Sequence, residues 1–265
     1  MIRVCVAGAT GWVGRSLVPA IVAAPDVELV GAVSRAAHGK ALGEVLSIAG
    51  LSLVVSGTVE EVLRVPADVL IDYTSPESVK ANVLCAIGRK VHVVLGTSGL
   101  NDDDYREIDE AAQRHGVGVL AAGNFAISAV LLQHFAQTAA RYMPSWEVID
   151  YSDASKPDAP SGTTREILHR LSTIRAPEVE IPISETQGSP EARGLTLNGT
   201  QIHSIRLPGY VLAAEVIFGK PNERLSLRHD AGSGAEPYVD GTLLAVRRVN
   251  SFVGLRRGLD QVLDL

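Results

Sequence analysis

Short apolar runs alternate with amphipathic stretches through the first half of the chain, and that rhythm predicts repeated strand–helix units. Residues 2–7 read as an apolar run rich in β-branched side chains, the pattern of a strand buried on both faces. Similar runs recur at 27–33, 51–55, 68–73, 91–95 and 116–121. Between them, residues 15–24, 41–48, 59–64, 76–88 and 101–115 carry helical character. Pro19 in the first of these helices predicts a bend or a displaced start. Ser75-Pro76 reads as a cap followed by proline at the first helical position. The Asn-Asp-Asp-Asp run from Asn101 suits the positive end of a helix.

The pattern changes after about Asn124. A long helix is expected at 128–142, and strands then follow in succession at 146–152, 179–183, 199–207, 210–218 and 224–229. Pro208-Gly209 is a turn dipeptide, so 202–207 and 211–218 are expected to pair as an antiparallel hairpin. Helical spacing returns at 237–249, with Leu243, Leu244 and Val246 on an apolar stripe. The fold class expected is α/β: a Rossmann-type doubly wound parallel sheet, followed by a second α+β domain built on a mixed sheet. The expected boundaries are 1–124 for a dinucleotide-binding domain and 125–236 for substrate binding and oligomerisation. A C-terminal helical segment, 237–265, would return to the first domain.

Composition narrows the function classes. The chain has 265 residues, of which 46% are apolar and 20% charged, as an ordered globular protein requires. A net charge of −6 argues against an electrostatic nucleic-acid binder. Cys5 and Cys85 sit in apolar runs and make no disulfide framework or CxxC spacing. Seven histidines form no HxH or HExxH pair, so no metal site is signalled. No signal-peptide pattern is read in the first residues and no apolar stretch approaches the length of a membrane span, so a cytoplasmic protein is the expectation.

Chemistry enters at the first turn. Gly8-Ala9-Thr10-Gly11-Trp12-Val13-Gly14 lies between a strand and a helix, as a G-x-x-G-x-x-G variant of the dinucleotide turn. Gly8 permits the tight turn, Gly11 lets a pyrophosphate approach the backbone, and Gly14 allows close helix packing. After the second strand an acidic residue would bind a ribose 2′-hydroxyl, but this chain has Ser34-Arg35, which can bond and neutralise a 2′-phosphate. NADPH is therefore the expected cofactor, with NADH also possible. Tyr73-Thr74, Gly96-Thr97-Ser98 and Asn124-Phe125 each follow an apolar strand, where the nicotinamide crevice should lie. Lys156 precedes Asp158-Ala159-Pro160-Ser161-Gly162-Thr163, a turn into a helix. The N–H groups of Ser161, Gly162 and Thr163 at that positive helix end would hold a substrate carboxylate.

Four segments together resemble one family, the dihydrodipicolinate reductases: Ile71-Asp72-Tyr73-Thr74-Ser75-Pro76-Glu77, Gly96-Thr97-Ser98-Gly99, Gly123-Asn124-Phe125-Ala126, and Lys156-Pro157-Asp158-Ala159-Pro160-Ser161-Gly162-Thr163. The stretch from Ile202 to Gly209 and the one from Glu215 to Gly219 resemble its C-terminal domain. The resemblance runs over nearly the whole chain in motif order. It implies a nucleotide-binding domain, a mixed-sheet domain that carries substrate and subunit contacts, NAD(P)H as hydride donor, a small carboxylated cyclic imine or enamine-type substrate, and a homotetramer.

The family usually reads E-x-H-H-x-x-K before the lysine, and its paired histidines are taken to contact substrate. Here Ser152 and Asp153 stand in those positions, and Ala213-Ala214 precede Glu215 where many members have histidines. Lys156, Asp153 and Ser152 are thus the candidates for the catalytic group. An Asp153–Lys156 ion pair would keep the aspartate ionised and leave the lysine, or a protonated iminium substrate, to supply the proton. Alternatively, Ser152 and Asp153 only continue a polar strand edge. His203, which the family shares, is read as structural. Three functions stay open: a related imine reduction, the lysine-pathway reduction with a different proton donor, and a silent nucleotide-binding paralogue. A reductase or dehydrogenase for a diamine-derived ring, with the carboxylate cradle idle, is a further variant of the first.

Overall fold

The computed structural model describes residues 1–264 and divides into two compact units, 1–127 with 235–265, and 128–234. The first unit is built on six parallel strands: β1 (Ile2–Ala7), β2 (Val27–Val33), β3 (Val69–Asp72), β4 (His92–Leu95), β5 (Gly118–Ala121) and, from the chain's end, β11 (Gly254–Arg257). Their order is β11-β5-β4-β3-β1-β2, and every pairing is parallel. Helices α1 (Trp12–Ala23), α2 (Leu42–Leu46), α3 (Val59–Val62), α4 (Pro76–Gly88) and α5 (Asp102–His115) connect the strands. Burial on both faces explains the near-absence of alternation: Val4, Cys5, Val6 and Ala7 are all 0% exposed, as are Leu70, Ile71, Val93 and Val94. The chain leaves β1 toward β2 on one side and returns to β3 on the other. The carboxyl ends of β1 and β3 therefore flank a topological switch point, where such sheets bind ligands.

The second unit carries a five-stranded mixed sheet: β6 (Ser145–Ser152), β7 (Leu195–Leu197), β8 (Thr200–Arg206), β9 (Leu212–Lys220) and β10 (Glu223–Ala231), in the order β10-β9-β6-β8-β7. One face packs on α6 (Ile127–Ala140) and α7 (Gly162–Ser172), burying Trp146, Val148, Val216 and Phe218 against Ala136, Ile167 and Leu168. The chain then returns to the first unit as α8 (Pro237–Arg248) and β11.

Four expectations are corrected. Strands β8 and β9 do not form a hairpin: β6 lies between them, parallel to β8 and antiparallel to β9. The five-residue link from Leu207 to Val211 spans two strand spacings, roughly 9.5 Å, which the Pro208-Gly209 pair alone does not reach. Residues 51–55 are not a strand, because only isolated bridges form there and Val54 is 63% exposed. Residues 179–183 are irregular: Pro182 removes a ladder donor, and Val179 and Ile181 point to solvent. Helix α1 begins at Trp12 and runs through Pro19. Two strands went unread, β7 and β11, both short edge strands without a buried alternating face.

Candidate active site

In the first unit the glycine turn is shaped by its neighbours. Gly8 has φ +85°, and a Cβ there would lie 2.1 Å from the Tyr73 carbonyl oxygen. A Cβ at Gly14 would meet the Gly8 carbonyl oxygen at 2.3 Å, so the first turn of α1 packs directly on the loop backbone. Gly11 is the N-cap of α1 with no side-chain cap, which leaves helix N–H groups for an anion. Val13 is buried beneath the turn. Trp12 is 57% exposed, and its ring meets Tyr238 edge-on at 5.4 Å.

A cleft of about 420 Å³ opens beside this turn, lined by Gly8, Thr10, Gly11, Ser34, Arg35 and Thr74 among others. Thr10 and Ser34 share a hydrogen bond of 2.6 Å between their hydroxyls. Arg35 is exposed and has no hydrogen-bond or ion-pair partner among the described residues. Arg15 donates to the Thr10 carbonyl at 3.0 Å. Larger hollows at Lys220–Arg224 and at Gly43–Ser52 carry no comparable constellation.

Tyr73 fills the space between the first turn and the next strand end. A Cβ on Gly96 would lie 2.1 Å from its ring. Its hydroxyl bonds Thr242 at 2.7 Å, and its ring packs on the buried Phe125 with centroids 5.9 Å apart. Burial pushes the phenol's pKa up, so Tyr73 remains a neutral hydroxyl. Asn124 accepts from the Ala126 amide at 2.8 Å, an Asx turn that sets the backbone after β5.

Asp72 was overlooked in the sequence. It is 0% exposed and has no cation beside it among the described residues. Its Oδ1 accepts from the Thr74 amide (3.0 Å), the Thr74 hydroxyl (2.7 Å) and the Thr97 hydroxyl (2.8 Å), and Oδ2 accepts from Asn82 at 2.9 Å. The signal was present: an aspartate ending the strand Val-Leu-Ile-Asp must find donors if the strand is buried. The amides of Thr97 and Ser98 donate to nothing among the described residues.

In the second unit the carboxylate loop is organised by Asp150, also 0% exposed. Its Oδ2 accepts from the Ser161 amide (2.9 Å), Arg206 Nη2 (2.7 Å) and the Ser204 hydroxyl (3.2 Å); Oδ1 accepts from the Thr164 hydroxyl (3.0 Å). Arg206 also donates to the Asp158 carbonyl at 2.6 Å, tying the loop to β8. Burial would raise the Asp150 carboxyl, but the guanidinium and the Ser161 and Thr164 donors outweigh it and hold the pKa below the ordinary range.

Ser161 therefore does not offer its amide to a ligand. It is buried, its N–H belongs to Asp150, and its hydroxyl caps α7 through the Thr164 amide. Gly162 and Thr163 carry the free amides, with no acceptor among the described residues. The expected Asp153–Lys156 ion pair is also absent. Lys156 pairs with Asp158 at 2.7 Å, while Asp153 accepts from the Ser155 hydroxyl (2.6 Å) and amide (2.9 Å). The local Ser155 turn outcompetes the longer reach to the lysine, and those two donors lower the Asp153 pKa. Ser152 is 0% exposed and its hydroxyl has no partner among the described residues. His203 bonds Glu147 at 2.8 Å beside Arg193, an ion cluster on the sheet face opposite the helices.

A glycine turn opening a parallel, doubly wound sheet, with a second mixed-sheet unit, is the architecture of the pyridine-nucleotide-linked oxidoreductases. The chain belongs to the dihydrodipicolinate reductase family: the profile described as "Dihydrodipicolinate reductase, N-terminus" matches residues 2–125, and "Dihydrodipicolinate reductase, C-terminus" matches 128–263. A 4-hydroxy-tetrahydrodipicolinate reductase of Desulfitobacterium hafniense is 40% identical over 265 residues, covering 99% of each chain. The enzyme of the same name from Bacillus velezensis is 35% identical over 263 residues, covering 99% of this chain and 98% of its own. Among solved structures, a dipicolinate-bound dihydrodipicolinate reductase from Paenisporosarcina sp. TG-14 superposes with a TM-score of 0.87 at 30% identity, covering 99% of this chain and 100% of its own. An amine dehydrogenase from Mycobacterium smegmatis shares the fold, with a TM-score of 0.69 at 16% identity over 100% of this chain and 96% of its own. The chain is thus a reductase with a pyridine nucleotide as its redox partner and a small molecule as its substrate. No helix among the described residues is long and apolar enough to cross a membrane, and no group of three metal-ligating side chains is found among them.

Proposed function

We propose that this chain reduces 4-hydroxy-tetrahydrodipicolinate, a small cyclic imine carboxylate, with NADPH. The observation that carries the substrate reading is the start of α7, where a buried aspartate consumes the Ser161 amide and leaves those of Gly162 and Thr163 for a carboxylate at a positive helix end. Lys156, in the same loop, adds a cation that the substrate would share with Asp158. The names of the relatives and the dipicolinate bound to the similar enzyme support the same class of ligand.

The residues of the first unit fit a pyridine nucleotide. Gly8, Thr10, Gly11, Trp12, Val13 and Gly14 form the turn that would hold the pyrophosphate. Tyr73, Thr74, Gly96, Thr97, Ser98, Asn124 and Phe125 form the strand ends that would flank the nicotinamide. The nucleotide supplies the hydride. Ser34 and the exposed Arg35 beside the cleft support NADPH; NADH fits the same turn, and Arg35 is the residue that would separate them. Of the three candidate proton donors, Asp153 is held ionised by Ser155 and the Ser152 hydroxyl is fully buried, which favours Lys156. A homotetramer is supported by the uncovered face of the second sheet, where Ile149, Ile205 and Ile217 lie half-buried around the Glu147–His203–Arg193 cluster. Light scattering should give the mass of four 28.0 kDa chains. Substrate and nucleotide are small water-soluble metabolites, in keeping with a cytoplasmic enzyme.

The test is direct. Purified protein is mixed with NADPH and the freshly formed condensation product of aspartate semialdehyde and pyruvate, and near-ultraviolet absorbance is followed. Sustained NADPH oxidation is expected. Nucleotide binding without oxidation would refute the substrate and leave a different cyclic imino acid or a silent paralogue.

A further inference from the structure

The buried carboxylate of Asp72 has a use that the strand alone does not explain. It takes both threonine hydroxyl protons, from Thr74 at 2.7 Å and Thr97 at 2.8 Å, together with the Thr74 amide at 3.0 Å. The Thr74 amide also donates to the Thr97 hydroxyl at 2.8 Å, and the Gly96 amide donates to the Asp72 carbonyl at 2.9 Å. One residue therefore fixes the loops after two neighbouring strands, β3 and β4, relative to each other. Both hydroxyls are turned inward, so the loop after β4 faces outward with the free amides of Thr97 and Ser98. Asn82 of α4 completes the node by donating to Asp72 Oδ2 at 2.9 Å. A carboxylate is the one side chain of this size that accepts at every lone pair.

We propose that Asp72 is a positioning residue for the pyridine nucleotide: by holding Thr74 and Thr97 inward it sets the backbone amides of the loop after β4 that the nucleotide meets. This rests on the nucleotide reading of the first unit given above. In Asp72→Asn, the amide oxygen turned to the threonines leaves its NH₂ toward Asn82, which must turn its own amide to present Oδ1 and so withdraws the NH₂ that also reaches the Thr74 hydroxyl at 3.4 Å. In the exchange Asp72→Asn/Asn82→Asp, every donor regains an acceptor and the net charge is unchanged.

The measurement is calorimetric titration of the whole protein with NADPH, with thermal melting of each variant as the fold control. Asp72→Asn is expected to weaken NADPH binding about tenfold, and the exchanged pair to recover to within about threefold of wild type. An unchanged affinity in a folded Asp72→Asn overturns the role. So does an exchanged pair as weak as the single variant, since the loss would then follow the placement of the charge at residue 72 and not the hydrogen-bond geometry. If Asp72→Asn does not fold, Thr97→Val removes one inward donor, and with it one of the two acceptors of the Thr74 amide, at constant shape, and unchanged NADPH affinity in it overturns the role equally. Wild-type protein that binds neither NADPH nor NADH would instead remove the nucleotide reading itself.

Discussion

Replacing Asp150 by asparagine separates its charge from its hydrogen bonds. The amide oxygen can take the Oδ2 side and accept from the Ser161 amide, Arg206 and Ser204, while the NH₂ turns to the Thr164 hydroxyl, which then accepts. The Ser161 amide, Arg206 and Ser204 keep their acceptor, the Thr164 proton turns to the Ser161 hydroxyl 3.0 Å away, and the anion is lost. Arg206 keeps 16% of its side-chain surface exposed and retains the Asp158 carbonyl, so the cost lies at the low end for a buried pair broken on one side, about 3 kcal/mol. Asp150→Ala also strands the Ser161 amide and the Thr164 hydroxyl, and should cost at least ~1–2 kcal/mol more. Ser204→Ala removes one long, part-buried 3.2 Å bond from an exposed serine and should cost under about 1 kcal/mol. The assay is urea unfolding read from Trp146, which is buried in the second unit, in a Trp12→Phe background that silences the exposed indole. An Asp150→Asn loss below about 1 kcal/mol would refute the charge argument. Equal losses for Asn and Ala would refute the donor argument.

Arg35→Ala should weaken NADPH binding about tenfold and leave NADH unchanged, measured by titration with each nucleotide; equal effects on both would refute the 2′-phosphate assignment. Lys156→Ala should raise the KM for the carboxylate substrate about tenfold or more with NADPH affinity intact, and a proton-donor role adds a fall in kcat and a changed pH profile. The acid limb of stability should depend on Asp150. Its folded pKa is depressed, so its contribution is fully present above the ordinary value of about 4 and is lost as pH falls through the lower folded value. The urea midpoint of wild type should therefore drop more steeply below pH 4 than that of Asp150→Asn; parallel curves would contradict this.

The parallel half of the fold was legible because its strands are buried on both faces and read as unbroken apolar runs. The second sheet was less so. Local turn chemistry at Pro208-Gly209 signals a reversal, which occurs, but not that β6 occupies the gap between the two arms; strand insertion is a tertiary fact without a local signature. Edge strand β11 was hidden for a different reason. Its sequence, Gly-Leu-Arg-Arg, looks like solvent-exposed chain, yet Arg256 and Arg257 lay their guanidinium groups over Phe252 and Tyr105 at 4.2 Å each. At the candidate site, the sequence names residues but not their pairings. Lys156 had two aspartates within reach, and whether it pairs with Asp153 or Asp158 turns on the Ser155 turn that occupies the former.

Asp72 and Asp150 share a logic that explains why each loop presents the donors it does. The start of a helix has more N–H groups than acceptors, and the hydroxyls of nearby serines and threonines add to the surplus. A buried carboxylate only accepts, so it subtracts. Asp150 removes the Ser161 amide and the Thr164 and Ser204 hydroxyls, and the amides of Gly162 and Thr163 remain. Asp72 removes the Thr74 amide and two hydroxyls, and the amides of Thr97 and Ser98 remain. What differs is the cation. A bare carboxylate about 6 Å from a bound anion would oppose it by roughly 3 kcal/mol at an effective dielectric constant of ~20. Arg206 cancels that repulsion at Asp150, where the remaining amides suit a carboxylate. Asp72 has only neutral donors, so the amides it leaves suit an uncharged acceptor such as a carboxamide oxygen better than an anion.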